Sequence, residues 1–199
     1  MSLKENLTKI KDQIRETENE TKNPGKVKLI AVTKTRDFQT INKAYECGVT
    51  SIGENRVQEA ESKFESFQNM PDLEKRFIGH LQSNKVKRCL ALFDTIDSVH
   101  SLKIAKKINN HLTQENRKIK SLLEVNMSGD EQKQGFSPEN IDDLILAISL
   151  EPLGVEGLMT IGPVSRNEKE TRKAFSDLRK LKEKLNKEIK KESLTELSM

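Results

Sequence analysis

The 199-residue chain is predicted to be an α/β protein with a parallel sheet, a (β/α)8 TIM-type barrel that stops after the start of its seventh strand. Three observations predict it. Short apolar runs alternate with helical periodicities, the order that right-handed crossovers between parallel strands produce. The first run, KLIAVT at 28–33, is apolar nearly throughout, as a strand covered on both faces is. No G-x-G-x-x-G follows that run, so the phosphate-binding turn of an open dinucleotide-binding sheet is missing. The length suits one domain, taken as 1–199.

Taken in order, Leu3, Leu7, Ile10 and Ile14 make one stripe of a first helix, opened by a capping box of Ser2 and Glu5. Pro24-Gly25 breaks the pattern as a turn. After strand one, Phe38, Ile41, Ala44 and Tyr45 line a helix that Gly48 ends as a residue beyond the cap. Strand two is expected over 49–52, with a polar helix from Val57. Strands three to six are expected over 76–79, 92–96, 119–125 and 154–161. The helix before strand six is expected to open at Ser137-Pro138, a cap followed by proline in the first turn. Phe175, Leu178, Leu181, Leu185 and Ile189 stripe a long helix over 168–190, and 194–199 begins a seventh strand.

Composition narrows the function classes. Basic and acidic residues number 35 and 31 and are interspersed, which reads as a solvated surface and not as a one-sided nucleic-acid stripe. Tryptophan is absent and tyrosine occurs once, so stacking platforms for bases are not indicated. Three histidines and two distant cysteines, Cys47 and Cys89, fit no metal-site spacing. No apolar run approaches the roughly 18 residues of a membrane span, and the N-terminus lacks a signal-peptide core. The expected location is the cytoplasm, with no nucleic-acid or membrane partner.

A (β/α)8 barrel carries its chemistry at the C-terminal strand ends. Here those ends read Thr33-Lys34-Thr35-Arg36, Gly53-Glu54-Asn55-Arg56, Gly79-His80-Leu81-Gln82-Ser83-Asn84-Lys85, Asp97-Ser98, Glu124-Val125-Asn126 and Met159-Thr160. Lys34 ends an apolar strand, where partial desolvation would free its amine for attack on an aldehyde; position alone favours a solvated lysine. Gly53 to Asn55 could admit a planar ligand close to the backbone, or be an ordinary turn. His80 suits a general acid or base, or a surface group. Gln82 and Asn84 offer amides, or Ser83 and Asn84 cap a helix. Glu124 and Asp97 form no evident pair. Lys133-Gln134-Gly135 follows strand five, where it could cover a site or be a solvated loop.

Seven stretches together resemble the homeostasis proteins that bind pyridoxal 5′-phosphate (PLP), single-domain relatives of the alanine racemase barrel. They are Ala31-Val32-Thr33-Lys34-Thr35, the segment GENRVQE from Gly53, the segment FIGHLQSNK from Phe77, Glu124-Val125-Asn126, Lys133-Gln134-Gly135, Gly157-Leu158-Met159-Thr160 and Leu197-Ser198-Met199. The resemblance runs from residue 27 to the last residue, and the second and third stretches are specific. It implies that Lys34 carries PLP as a Schiff base and that Asn55 and Met159 lie beside the pyridine ring. Ser198, in the Leu-Ser-Met stretch, is carried over as a further cofactor contact. The implied role is PLP homeostasis without settled catalysis, with PLP-dependent apoenzymes as partners.

Two further expectations follow from the resemblance. Family members continue past Leu-Ser-Met into a Gly-Met-Ser turn, a helix and a strand ending Arg-Ile-Gly, which supply most of the phosphate cradle. The sequence stops at Met199, so it is expected to be a truncated frame or fragment whose barrel does not close. The alternative function is a PLP enzyme such as an amino-acid racemase. That chemistry needs a second base, a tyrosine on a separate domain in the racemases, whereas Tyr45 falls in the first barrel helix. A basic interaction module is a third reading, disfavoured by the mixed charge.

Overall fold

The computed structural model describes residues 2–199 except 23–25, 68–69, 131, 166 and 192. The turn expected at Pro24-Gly25 lies outside the described residues. The elements run α1 (Leu3–Glu20), β1 (Ala31–Val32), α2 (Phe38–Glu46), β2 (Ser51–Glu54), α3 (Val57–Phe64), β3 (Glu74–Phe77), α4 (Val86–Leu92), β4 (Thr95–Val99), α5 (Leu102–Gln114), β5 (Lys120–Glu124), α6 (Ile141–Ile148), β6 (Val155–Met159), α7 (Glu168–Glu188) and β7 (Glu196–Ser198). All seven strands are parallel and pair in sequence order, β1 to β7. This is the curled sheet of an incomplete (β/α)8 barrel, as the βα rhythm predicts.

The two faces of the sheet differ in chemistry. Phe77, Ile96, Leu123 and Leu158, one from each of β3 to β6, belong to one cluster with Val57, Ala60, Cys89, Leu90, Ile108, Leu144 and Leu178 of the helices. That is the main core. Alternate residues face the concave side, because strand side chains point in turn to opposite faces. There Arg76, Thr95 and Asp97 meet as a polar cluster in β3 and β4, while Leu122 and Met159 sit further along.

Local expectations hold where the sequence signals are strong. Ser2 and Glu5 form the capping box of α1. Gly48 follows the α2 cap at φ +82°, a conformation open to glycine. Leu178, Leu181 and Leu185 are the buried stripe of α7.

Several boundaries are corrected. Strand one, read as 28–33, pairs as a strand only at Ala31–Val32, and Val32 is 51% exposed, since β1 has a neighbour on one side alone among the described strands. Strand two starts at Ser51 because Val49 N–H still bonds Ala44 O in the cap of α2. Strand three comes earlier than read, its charged residues Glu74, Lys75 and Arg76 being accommodated by ion pairs and by Lys75 lying over the Phe64 ring. Strand four starts at Thr95, as Leu92 still belongs to α4. Helix α6 opens at Asn140, whose side chain accepts from Asp143 N–H; Ser137 and Pro138 lie in the preceding turn. Ile10 of the α1 stripe is exposed.

Candidate functional site

Lys34 occupies the centre of a tight turn at the end of β1. Arg36 N–H closes the turn on Thr33 O at 3.0 Å, leaving Lys34 and Thr35 as its central residues. Thr35 has φ +64°, a region that a β-branched residue rarely enters. Lys34 is exposed, and its ammonium makes no ion pair or hydrogen bond among the described residues. The partial desolvation expected of it is therefore not seen, because β1 is an edge strand with an open face.

A polar group lies behind this turn. Lys63 Nζ, on α3, is 2.8 Å from Glu54 Oε1 and 2.6 Å from Glu59 Oε1, and donates to Thr33 O at 2.9 Å. Thr33 Oγ1 donates to Glu54 Oε1 at 2.7 Å, and Thr35 N–H donates to Glu59 Oε1 at 2.6 Å. The hydrogen bond from Lys63 holds the Glu59 carboxyl below its ordinary range.

Asn55 follows β2 next to the Lys34 turn, Val32 and Gly53 being register partners. Gly79, just past β3, touches it directly: a Cβ on Gly79 would lie 2.1 Å from Asn55 O. Ser98 Oγ donates to Gly79 O at 2.6 Å and fixes that approach from β4. The space beside Gly53 is filled by Ile78 and Ile30, so the ligand approach expected there is corrected to packing. Neither Ser83 nor Asn84 caps α4 or the short turn before it, and both are exposed.

A third set stands across β5, β6 and β7. Glu124, Met159 and Ser198 are successive register partners, so the structure brings Met159 and Ser198 together with Glu124 beside them. Met159 is 5% exposed, Glu124 8% exposed, and Ser198 partly exposed. Lys34 and Asn55 sit at one end of the strand order and Met159 and Ser198 at the other, and β1 and β7 are not paired among the described residues. Lys133 Nζ donates to Gly162 O at 2.7 Å, tying the loop after β5 to the loop after β6.

Burial pushes the Glu124 carboxyl up to about 6, against an ordinary 4.5. The folded protein thus disfavours its charge. That stability is complete below pH 4.5, declines as pH rises, and is lost above about 6. Glu124→Gln is expected to stabilise the protein by about 1–2 kcal/mol at pH 7.5 and by nearly nothing at pH 4.5. Urea unfolding at the two pH values checks this, and equal effects at both would refute it.

His80 and His100 complete the concave rim. Their ring centroids are 4.3 Å apart, and His100 is 7% exposed with Nδ1 unpartnered. Burial first, and the charge of His80 second, hold His100 below its ordinary value. Asp97, expected to be unpaired with Glu124, instead bonds Arg76 at 2.9 Å. Among the described residues no cluster of three or more metal-ligating side chains occurs, and no helix is long and apolar enough to cross a membrane.

The family model for the alanine racemase N-terminal domain matches residues 6–199. The pyridoxal phosphate homeostasis protein of a Synechocystis strain is 37% identical over 88% of this chain and 81% of its own. The chain belongs to the pyridoxal phosphate homeostasis protein family. Among solved structures, a protein from Bifidobacterium adolescentis superimposes with a TM-score of 0.91 at 33% identity, covering 98% of this chain and 84% of that one. PipY of Synechococcus elongatus, solved with PLP bound, superimposes with a TM-score of 0.81 at 32% identity, covering 93% and 86%.

In this family member, the rule of strand ends puts Lys34 and Asn55 at the ends of neighbouring strands, and the structure places them there. It missed Lys63 and Glu59, which lie on α3. Their only trace in the sequence is the i, i+4 spacing of an ordinary helical ion pair.

Proposed function

We propose that this chain binds PLP, that the Lys34 amine is the covalent anchor, and that its role is PLP homeostasis without chemistry of its own. The observation that carries the reading is the Lys34 turn: an amine with no described partner, set at the C-terminal end of a barrel strand beside Asn55. The relatives support it, since they are named for pyridoxal phosphate homeostasis and PipY was solved with PLP. The donor set fits the cofactor. A primary amine suits its aldehyde, and the Asn55 amide and Ser198 hydroxyl suit its polar substituents, with Met159 offering an apolar surface to a ring. Bound PLP supplies an electron-accepting aldehyde and pyridine ring. Lys34 would hold the cofactor covalently through its amine at the aldehyde carbon, with one water released.

A racemase reading is less well supported. The sole tyrosine, Tyr45, packs in the secondary core with Ile41, Val49 and Ile52 rather than on the concave rim. The reading extends to PLP-dependent apoenzymes as recipients and to the cytoplasm as location. The free thiols Cys47 and Cys89 agree with a reducing compartment.

The test is direct. With PLP added, the protein is expected to show a visible imine band, and borohydride followed by peptide mapping is expected to place the reduced adduct on Lys34. Lys34→Ala is expected to abolish both. A band that survives in Lys34→Ala, or an adduct mapped only elsewhere, overturns the assignment.

A further inference from the structure

We propose that Lys63, with Glu54 and Glu59, is a positioning device for Lys34: a clamp on the back of the sheet that holds both neighbours of the reactive lysine. This rests on the reading of Lys34 given above.

The geometry is specific to that turn. An ammonium has three N–H donors, and those of Lys63 have three acceptors in reach: Glu54 Oε1, Glu59 Oε1 and Thr33 O. Thr33 is gripped twice, by Lys63 at its carbonyl and by Glu54 at its hydroxyl. Thr35 is gripped at its N–H by Glu59. Lys34 lies between them and is itself untouched by the clamp. Thr35 stands at the third position of the turn with φ +64°, where glycine or asparagine is the unstrained choice. A conformation so disfavoured persists only where its surroundings impose it. The Glu59 bond to Thr35 N–H is that imposition.

The clamp is costly as a purely structural element. Glu54 is fully buried and Lys63 side chain 10% exposed, and Glu54 Oε2 has no partner. Buried ion pairs rarely add net stability over apolar replacements of like volume. What this one adds is direction. It fixes the peptide planes on either side of Lys34 and so the angle at which the side chain leaves the turn.

The experiment compares the parent protein with Glu59→Ala, with the apolar pair Glu54→Leu plus Lys63→Met, and with Lys63→Arg. Glu59→Ala leaves the buried Glu54–Lys63 pair intact and is the variant least able to unfold the chain. PLP is the probe, with induced circular dichroism in the imine band reporting orientation and stopped-flow absorbance reporting rate. Thermal melting reports the fold. The expected result is an adduct still on Lys34 that forms about tenfold more slowly in Glu59→Ala and in the double variant, with the induced signal largely lost. Lys63→Arg, which keeps the charge, is expected to recover most of both. Unchanged rates and an unchanged signal in a folded Glu59→Ala protein overturn the clamp. If the parent itself forms no adduct, the cofactor reading fails separately. Amide hydrogen exchange at Thr35 and Arg36 then decides the clamp: about tenfold faster exchange in Glu59→Ala supports it, and equal exchange overturns it.

Discussion

Gly79→Ala is expected to cost about 4 kcal/mol or more, enough to unfold most of the protein at 37 °C. A Cβ there would lie 2.1, 2.5 and 2.6 Å from the O, Cα and C atoms of Asn55. All three are backbone, so no side chain can swing aside. Relief requires β2 and β3 to part at their C-terminal ends, where Ile78 N–H bonds Glu54 O at 2.9 Å and Ser98 holds Gly79 O. Overpacking of a rigid site usually costs about 1–3 kcal/mol, and backbone contacts on this scale exceed the usual case. Circular dichroism melting of the variant checks this. A fall in midpoint of only a degree or two would show that the strand ends separate easily, and that Asn55 is not held where the structure places it.

The second large effect lies on the concave face of β3 and β4. Asp97 is 1% exposed and accepts from Arg76 Nη1 at 2.9 Å and from Thr95 Oγ1 at 2.8 Å. Arg76 Nε also bonds Glu74 Oε2 and Ser51 Oγ, which ties β2 into the same cluster. Arg76→Met is expected to cost about 3–5 kcal/mol, since it leaves a buried carboxylate without its counter-charge. The combination Arg76→Met with Asp97→Leu is expected to recover most of that loss, because the unpaired charge goes with its partner. Equilibrium urea unfolding of the three proteins measures the difference. A single variant as stable as the parent would mean that water reaches Asp97 and the pair adds nothing.

The sequence conveys the architecture better than the boundaries. Strands β5 and β6 read well because each is a short apolar run flanked by polar turns, and α7 reads well because its stripe lasts about four turns. Strands β2 and β4 begin later than read, since the apolar residues just before them, Val49 and Leu92, end helices instead. Strand β3 resembles a surface segment, and only the tertiary placement of Glu74 and Arg76 explains its charges. In the candidate site, the placement of Lys34 and Asn55 is legible because strand ends in this architecture share one rim. Lys63 is not legible, because a helix residue reaches the same turn from the opposite face, and no local pattern separates it from the chain's many other lysines. The burial of Glu124 is likewise tertiary: its register partner Met159, and Ser198 beyond Met159, come from elements far along the chain.

The strand order carries a consequence for biosynthesis. Among the described strands, each from β2 to β7 pairs with the one made just before it, so it meets a partner already outside the ribosome. The sheet can lengthen one βα unit at a time as translation proceeds, with the newest strand always at its growing edge. Loop closure at every stage spans only a single crossover, which keeps its entropic cost low. A nascent chain of this kind is assembled vectorially, and the turn that presents Lys34 is among the first pieces to find its lasting neighbours.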